Sequence, residues 1–129
     1  MRRVHPISID DIYRFKIPIE PSVSPDGKRV VFTLERMHKQ DKTYYTNLYM
    51  TGTNGRGLKQ LTFGKRNDRS PIWSPDGEQI AFISKRETAS QIWILSMKGG
   101  EARPLTKLPR GAVNNVQWSP DGKKLVFLF

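Results

Sequence analysis

Three copies of Ser-Pro-Asp-Gly, at Ser24–Gly27, Ser74–Gly77 and Ser119–Gly122, are the first places in this 129-residue chain to look for chemistry. Each sets a hydroxyl two residues from a carboxylate, and Trp73 and Trp118 add an indole directly before the second and third copies. A hydroxyl nucleophile needs a histidine held between it and a carboxylate. The histidines are His5 and His38, one beside the terminus and one in a polar stretch, and neither is expected to be catalytic. A nucleophile elbow needs Gly-x-Ser-x-Gly, and no glycine has serine two residues on and glycine four on. Asp26, Asp76 and Asp121 occupy equivalent places in successive repeats. They should therefore lie far apart, each bonding within its own turn rather than gathering round a metal.

Other candidates resolve the same way. The absence of cysteine excludes disulfides, thiolate metal sites and thiol nucleophiles. Gly52-Thr53-Asn54-Gly55-Arg56-Gly57 is no dinucleotide fingerprint, since its spacing is wrong and a strand pattern follows. Trp73, Trp93 and Trp118 could serve as stacking platforms, but the shared repeat position of Trp73 and Trp118 points to packing between repeats. The formal net charge is +10, and Lys65-Arg66-Asn67-Asp68-Arg69 is the densest cationic loop. Nucleic-acid or acidic-partner binding would rest on that charge alone. No catalytic, cofactor-binding or metal-binding residue is assigned, and no cofactor is expected.

The elements that hold these residues follow from their context. Proline fixes φ for the second turn position, aspartate bonds local backbone, and glycine accepts the left-handed conformation that returns the chain. Alternating apolar runs follow each turn, at Val30-Val31-Phe32, Ile80-Ala81-Phe82-Ile83 and Leu125-Val126-Phe127. Further strands are predicted at Leu48-Tyr49-Met50, Ile92-Trp93-Ile94-Leu95, Leu58–Thr62 and Ala102–Thr106. Asp26 to Asp76 is 50 residues and Asp76 to Asp121 is 45, whereas Leu48 to Ile92 and Thr62 to Thr106 are each 44. The extra length lies before Leu48, in Arg36–Tyr45, a polar loop or extended hairpin.

Four short strands recurring every 40–50 residues are the sequence sign of β-propeller blades. The expected fold is all-β: a partial β-propeller of two four-stranded blades plus the first hairpin of a third, preceded by a short helix over about 8–16. Ser8 and Asp11 begin that helix, and Pro18 and Pro21 stop it and force an extended connection. Residues 1–21 form an amino-terminal arm and 22–129 the incomplete propeller, with repeats at about 22–62, 71–106 and 115–129. The chain stops inside an apolar strand. Its remaining blades are expected from other copies, another chain or lost sequence. Met1-Arg2-Arg3 is basic, but no apolar run of signal-peptide or membrane-span length follows, so a cytoplasmic, soluble chain is expected.

With these residues in hand, the chain resembles the start of a prolyl oligopeptidase-family serine peptidase of the acylaminoacyl peptidase type. Asp11-Ile12-Tyr13-Arg14-Phe15 resembles the helix that precedes the family's propeller, Pro21–Phe32 its first blade, and the two Trp-Ser-Pro-Asp-Gly hairpins the following blades. The propeller of TolB-type proteins uses a similar Ser-Pro-Asp-Gly repeat. The resemblance implies a non-catalytic propeller that, in the full enzyme, gates the entry of short peptides to an α/β-hydrolase domain. That domain's Ser, Asp and His are absent here, so this chain alone is expected to be inactive. The alternative is a TolB-like module for protein–protein interaction. The open strand edge at Leu125–Phe129 is expected to favour self-association, with no membrane partner.

Overall fold

The computed structural model describes residues 4–129; Met1-Arg2-Arg3 lie outside them. Where the sequence predicts a helix over about 8–16, a 3-10 helix spans Ile9–Arg14. Its start is fixed by the Ser8 amide, which donates to the Asp11 carboxylate at 2.8 Å. None of its residues is buried, and Phe15 is already extended. A segment this short gains too little from packing to propagate as a longer helix. It is held instead from the side, where the Lys39 ammonium lies 3.5 Å from Asp10 and 5.6 Å from the centre of the Tyr13 ring.

The rest is three antiparallel sheets. The first holds β1 (Lys16–Val23), β2 (Arg29–His38), β3 (Thr43–Gly52) and β4 (Lys59–Gln60), in that order. The second repeats the order with β5 (Asp68–Trp73), β6 (Gln79–Lys85), β7 (Ser90–Ser96) and β8 (Arg103–Pro104). The third is the hairpin of β9 (Asn114–Trp118) and β10 (Leu125–Leu128). Strand β1 begins at Lys16, so the extended connection expected at Pro18 and Pro21 is part of the first sheet. Proline is tolerated there because β1 is an edge strand, paired only to β2. The Arg36–Tyr45 insertion is an extended hairpin: β2 and β3 run in register from Arg29↔Gly52 to His38↔Thr43.

The outermost strands are only two residues long. Each hands over to a threonine, Thr62 accepting from the Leu48 amide at 2.9 Å and Thr106 from the Ile92 amide at 3.0 Å. That is why these threonines recur at the same spacing as the strands they close.

The sheets stack face to face through two apolar seams. Val31 and Leu48 of the first sheet meet Trp73, Ile80, Phe82 and Leu95 of the second. Ala81, Ile83, Ile92 and Ile94, on the other face of the second sheet, meet Val116 of the hairpin and Val113 just before it. Strand β1 contacts β5, and β5 contacts β9, while β4 and β8 touch only their own sheets. Inner strands side by side and outer strands splayed make the three sheets successive blades about one axis, a partial β-propeller. Among the described residues no helix is long and apolar enough to cross a membrane.

Candidate functional site: the blade turns and inner strands

The three Ser-Pro-Asp-Gly turns have one geometry. Ser24 Oγ donates to Asp26 at 2.6 Å and accepts from the Arg29 amide at 3.0 Å, while the Asp26 carboxylate accepts from the Lys28 amide at 3.0 Å. Ser74 and Asp76 make the same bonds with the Gln79 and Glu78 amides, and Ser119 and Asp121 with those of Lys124 and Lys123. The serine hydroxyl, and then the backbone amide, hold each aspartate carboxyl below its ordinary 3.8. Each hydroxyl proton is thus committed to a carboxylate that is itself a poor base. The arrangement closes hairpins.

The turns also dock on one another. A Cβ placed on Gly77 would meet the Pro25 ring at 3.6 Å, and one on Gly122 the Pro75 ring at 3.5 Å, so each proline lies against the glycine of the next blade. Both glycines have φ near +70°, a conformation that disfavours any other residue. Arg29 fastens the first pair. Its guanidinium donates to the Gly77 carbonyl at 3.3 Å and lies 4.7 Å from the centre of the Trp73 ring. Trp73 is buried between blades, its indole N–H donating to the Ser22 carbonyl at 2.9 Å. Trp118 packs against the second seam, and Trp93 lies under the Arg86 guanidinium at 3.8 Å. Packing accounts for all three indoles.

A second repeated device escapes the sequence reading. Glu20, Ser70 and Asn115 each lie six residues before a turn aspartate, and all three are left-handed, with φ of 53°, 54° and 49°. In β1 and β5 the pairing slips at these residues, between Ile19 and Ser22 and between Arg69 and Ile72. Such bulges re-aim a side chain. The Glu20 carboxylate crosses to the second blade, accepting from the Ser70 amide at 2.8 Å and its hydroxyl at 3.2 Å, and also from Thr33 of its own blade at 3.0 Å. Arg69 reaches onward to the Val113 carbonyl at 2.9 Å. The signal was the constant six-residue spacing; the three unlike residue types hid it.

The histidines and two of the loop's cations, Lys65 and Arg69, make intramolecular contacts. The His5 ring lies 3.0 Å from its neighbour's carbonyl, Pro6 O, and is exposed. His38 sits beside Asp41, 3.2 Å away, at the tip of the long hairpin. Asp41 also takes the Lys65 ammonium at 2.7 Å and the Tyr45 hydroxyl at 2.8 Å, and Lys65 first, then Tyr45, hold its carboxyl below the ordinary value. Lys65 and Arg69 therefore serve intramolecular bonds. Among the described residues no group of three His, Asp or Glu side chains is placed to hold a metal. A cleft of about 660 Å³ lies at the open end of the β6–β7 turn and is lined by residues including Arg86, Trp93, Leu105 and Leu108.

Comparison with known proteins agrees with this architecture. The chain is 38% identical over 121 residues to an uncharacterized peptidase, YuxL, of Bacillus subtilis, an alignment covering 93% of this chain and 18% of that protein. It therefore spans less than a fifth of that relative's length. A putative TolB from Agrobacterium tumefaciens superposes with a TM-score of 0.69 at 29% identity, covering 86% of this chain and 38% of that one. An acylaminoacyl peptidase from Pyrococcus horikoshii superposes with a TM-score of 0.73 at 19% identity, covering 88% and 17%, a likeness of fold. The model of the TolB beta propeller domain family matches residues 12–129, from the 3-10 helix through β10, and the chain belongs to that family.

Proposed function

We propose that this chain supplies non-catalytic propeller blades to a serine oligopeptidase, in which they limit access to an α/β-hydrolase domain. The observation that carries the reading is the 38% identity to a peptidase along nearly the whole of this chain. The site geometry supports it: the serine and aspartate of each Ser-Pro-Asp-Gly turn bond within that turn, and Trp73 and Trp118 pack in the seams between blades. In this reading the substrate is a short peptide, met only in the whole enzyme, and the location is cytoplasmic. Purified chain is expected to leave short fluorogenic peptides intact; turnover abolished by a serine-directed inhibitor would overturn the non-catalytic role. For the gating role, this chain replaces the matching segment of the Bacillus peptidase. A folded hybrid that cleaves a large unfolded protein as readily as a short peptide would end that part of the proposal.

A second reading is favoured by the 29% identity to a TolB-type structure, which exceeds the identity to the acylaminoacyl peptidase structure. There the blades are a docking module for a protein partner. A hybrid without peptidase activity, together with saturable binding of one protein, would favour it.

A further inference from the structure

Asp68 is completely buried at the start of β5, and neither carboxylate oxygen has a hydrogen-bond partner. Asn47, on β3 of the preceding blade, is 1% exposed, and both its amide oxygen and its amide nitrogen are also unpartnered. The two residues adjoin. Thr46 and Asn67 form a parallel bridge, with the Thr46 amide donating to the Arg66 carbonyl at 2.8 Å, and Asn47 and Asp68 are each the next residue along.

The repeat shows that this polarity is not required by the fold. Val113 stands where Asp68 does, eight residues before the turn aspartate, and is fully buried. Gln91 stands where Asn47 does, and its amide is fully used, accepting from the Thr106 hydroxyl and the Leu108 amide and donating to the Leu108 carbonyl. Asparagine is one methylene shorter and makes none of these bonds.

Arg86 is the nearest cation, its guanidinium 3.9 Å from Asp68, beyond direct hydrogen bonding. It is held at that distance by two other contacts, Nε donating to Ser84 Oγ at 3.3 Å and the stack on Trp93. Burial lowers its basicity, which the Asp68 charge opposes. Four buried polar atoms beside a fixed cation would each carry a desolvation cost of about 1–3 kcal/mol if nothing satisfied them.

We propose that the seam between the first two blades contains an internal site for ordered water, bounded by Asn47, Asp68 and Arg86. The ligand class follows from the atoms to be satisfied. Three oxygens require donors, the asparagine nitrogen requires an acceptor, and the gap to Arg86 has the length at which a bridging molecule serves better than a direct bond. Water both donates and accepts. A metal cation would leave the asparagine nitrogen unmet and would repel Arg86. Arg86 also lines the cleft at the open end of the β6–β7 turn.

The test is a crystal structure of the chain at a resolution that shows ordered solvent, from crystals grown in rubidium chloride. Solvent density within hydrogen-bonding distance of both Asp68 and Asn47, with no anomalous signal, is the expected result. An anomalous rubidium peak would replace water by a monovalent cation, and direct contact of Arg86 with Asp68 over an empty seam would remove the site; either overturns the proposal. In solution, oxygen-17 relaxation dispersion should detect long-lived internal water that is lost in Asn47→Leu paired with Asp68→Val, the latter copying Val113. Asn47→Leu alone is the milder variant, and an undiminished signal in either folded variant would count against the site.

Discussion

Ala81 and Val126 hold the same place in their repeats, five residues after the turn aspartate, yet Ala81 is fully buried and Val126 is 67% exposed. Two residues on, Ile83 is 1% exposed and Leu128 60%. The turns that launch the two hairpins are alike to within 0.1 Å in their serine and aspartate bonds. Local chemistry therefore makes the hairpin, and burial comes only from a neighbouring sheet. Blade 2 has neighbours on both faces, whereas the β9–β10 hairpin has blade 2 on one face. Stability should follow that difference rather than the motif.

The largest expected effect uses Phe82 and Phe127, both six residues after a turn aspartate. Phe82 is fully buried in the first seam, while Phe127 is only half-buried against the second. Phe82→Ala should cost about 3–5 kcal/mol, the usual range for removing a core aromatic. Phe127→Ala should cost less than half as much in the same denaturant titration. Equal costs would mean that the outer hairpin is as well buried as blade 2, and the comparison would fail.

Trp73 and Trp118 sharpen it. The Trp73 indole donates across the seam to Ser22, whereas the Trp118 nitrogen is buried with no partner. Trp73→Phe should lose about 0.5–1.5 kcal/mol for the hydrogen bond, with a further loss from the Arg29 contact. Trp118→Phe removes an unsatisfied donor and should cost clearly less by thermal unfolding. The reverse order would show that the second seam, not the first, is the specific one.

What the sequence made legible is what depends on residue type at fixed spacing. Ser24-Pro25-Asp26-Gly27 and its two copies announced the turns, and the 44-residue interval from Leu48 to Ile92 placed the third strands and located the inserted hairpin. Three features were hidden because they depend on neighbours. Pro18 and Pro21 read locally as a break, yet β1 tolerates them because one of its edges is free. Glu20, Ser70 and Asn115 share a left-handed backbone but no side-chain chemistry. Asp68 lies in the most cationic stretch of the chain, where nothing in the sequence marks it for burial, yet the fold buries it completely.

The turns themselves offer a smaller test. Because each aspartate is held below its ordinary 3.8, its contribution to stability is complete above that value and is lost as the pH falls through the lower folded-state value. Ser74→Ala removes the largest cause and should raise the Asp76 value toward 3.8 in a carboxyl carbon-13 titration, leaving Asp26 and Asp121 where they were. If all three moved together, the turns would be coupled through the Pro25–Gly77 and Pro75–Gly122 contacts rather than independent.

The smallest effect on stability should accompany the largest effect on association. Strand β10 pairs with β9 on one side and with no described strand on the other; Val126 and Leu128 are exposed along it and Phe129 just after it. A free edge with apolar side chains invites pairing with another copy, and a charge pointing from such a strand opposes it. Val126→Lys should therefore change unfolding stability by no more than about 0.5 kcal/mol, as for other surface substitutions, while lowering the concentration-dependent mass seen by light scattering. The same lysine at Ala81 would be forced into the second seam and should unfold the chain. If Val126→Lys left association unchanged, the contact between copies would lie on another surface, such as the half-covered outer face of the first blade where Val23 is exposed. The contrast between positions 81 and 126 would then describe burial alone, with β10 no more prone to pairing than the rest of the surface.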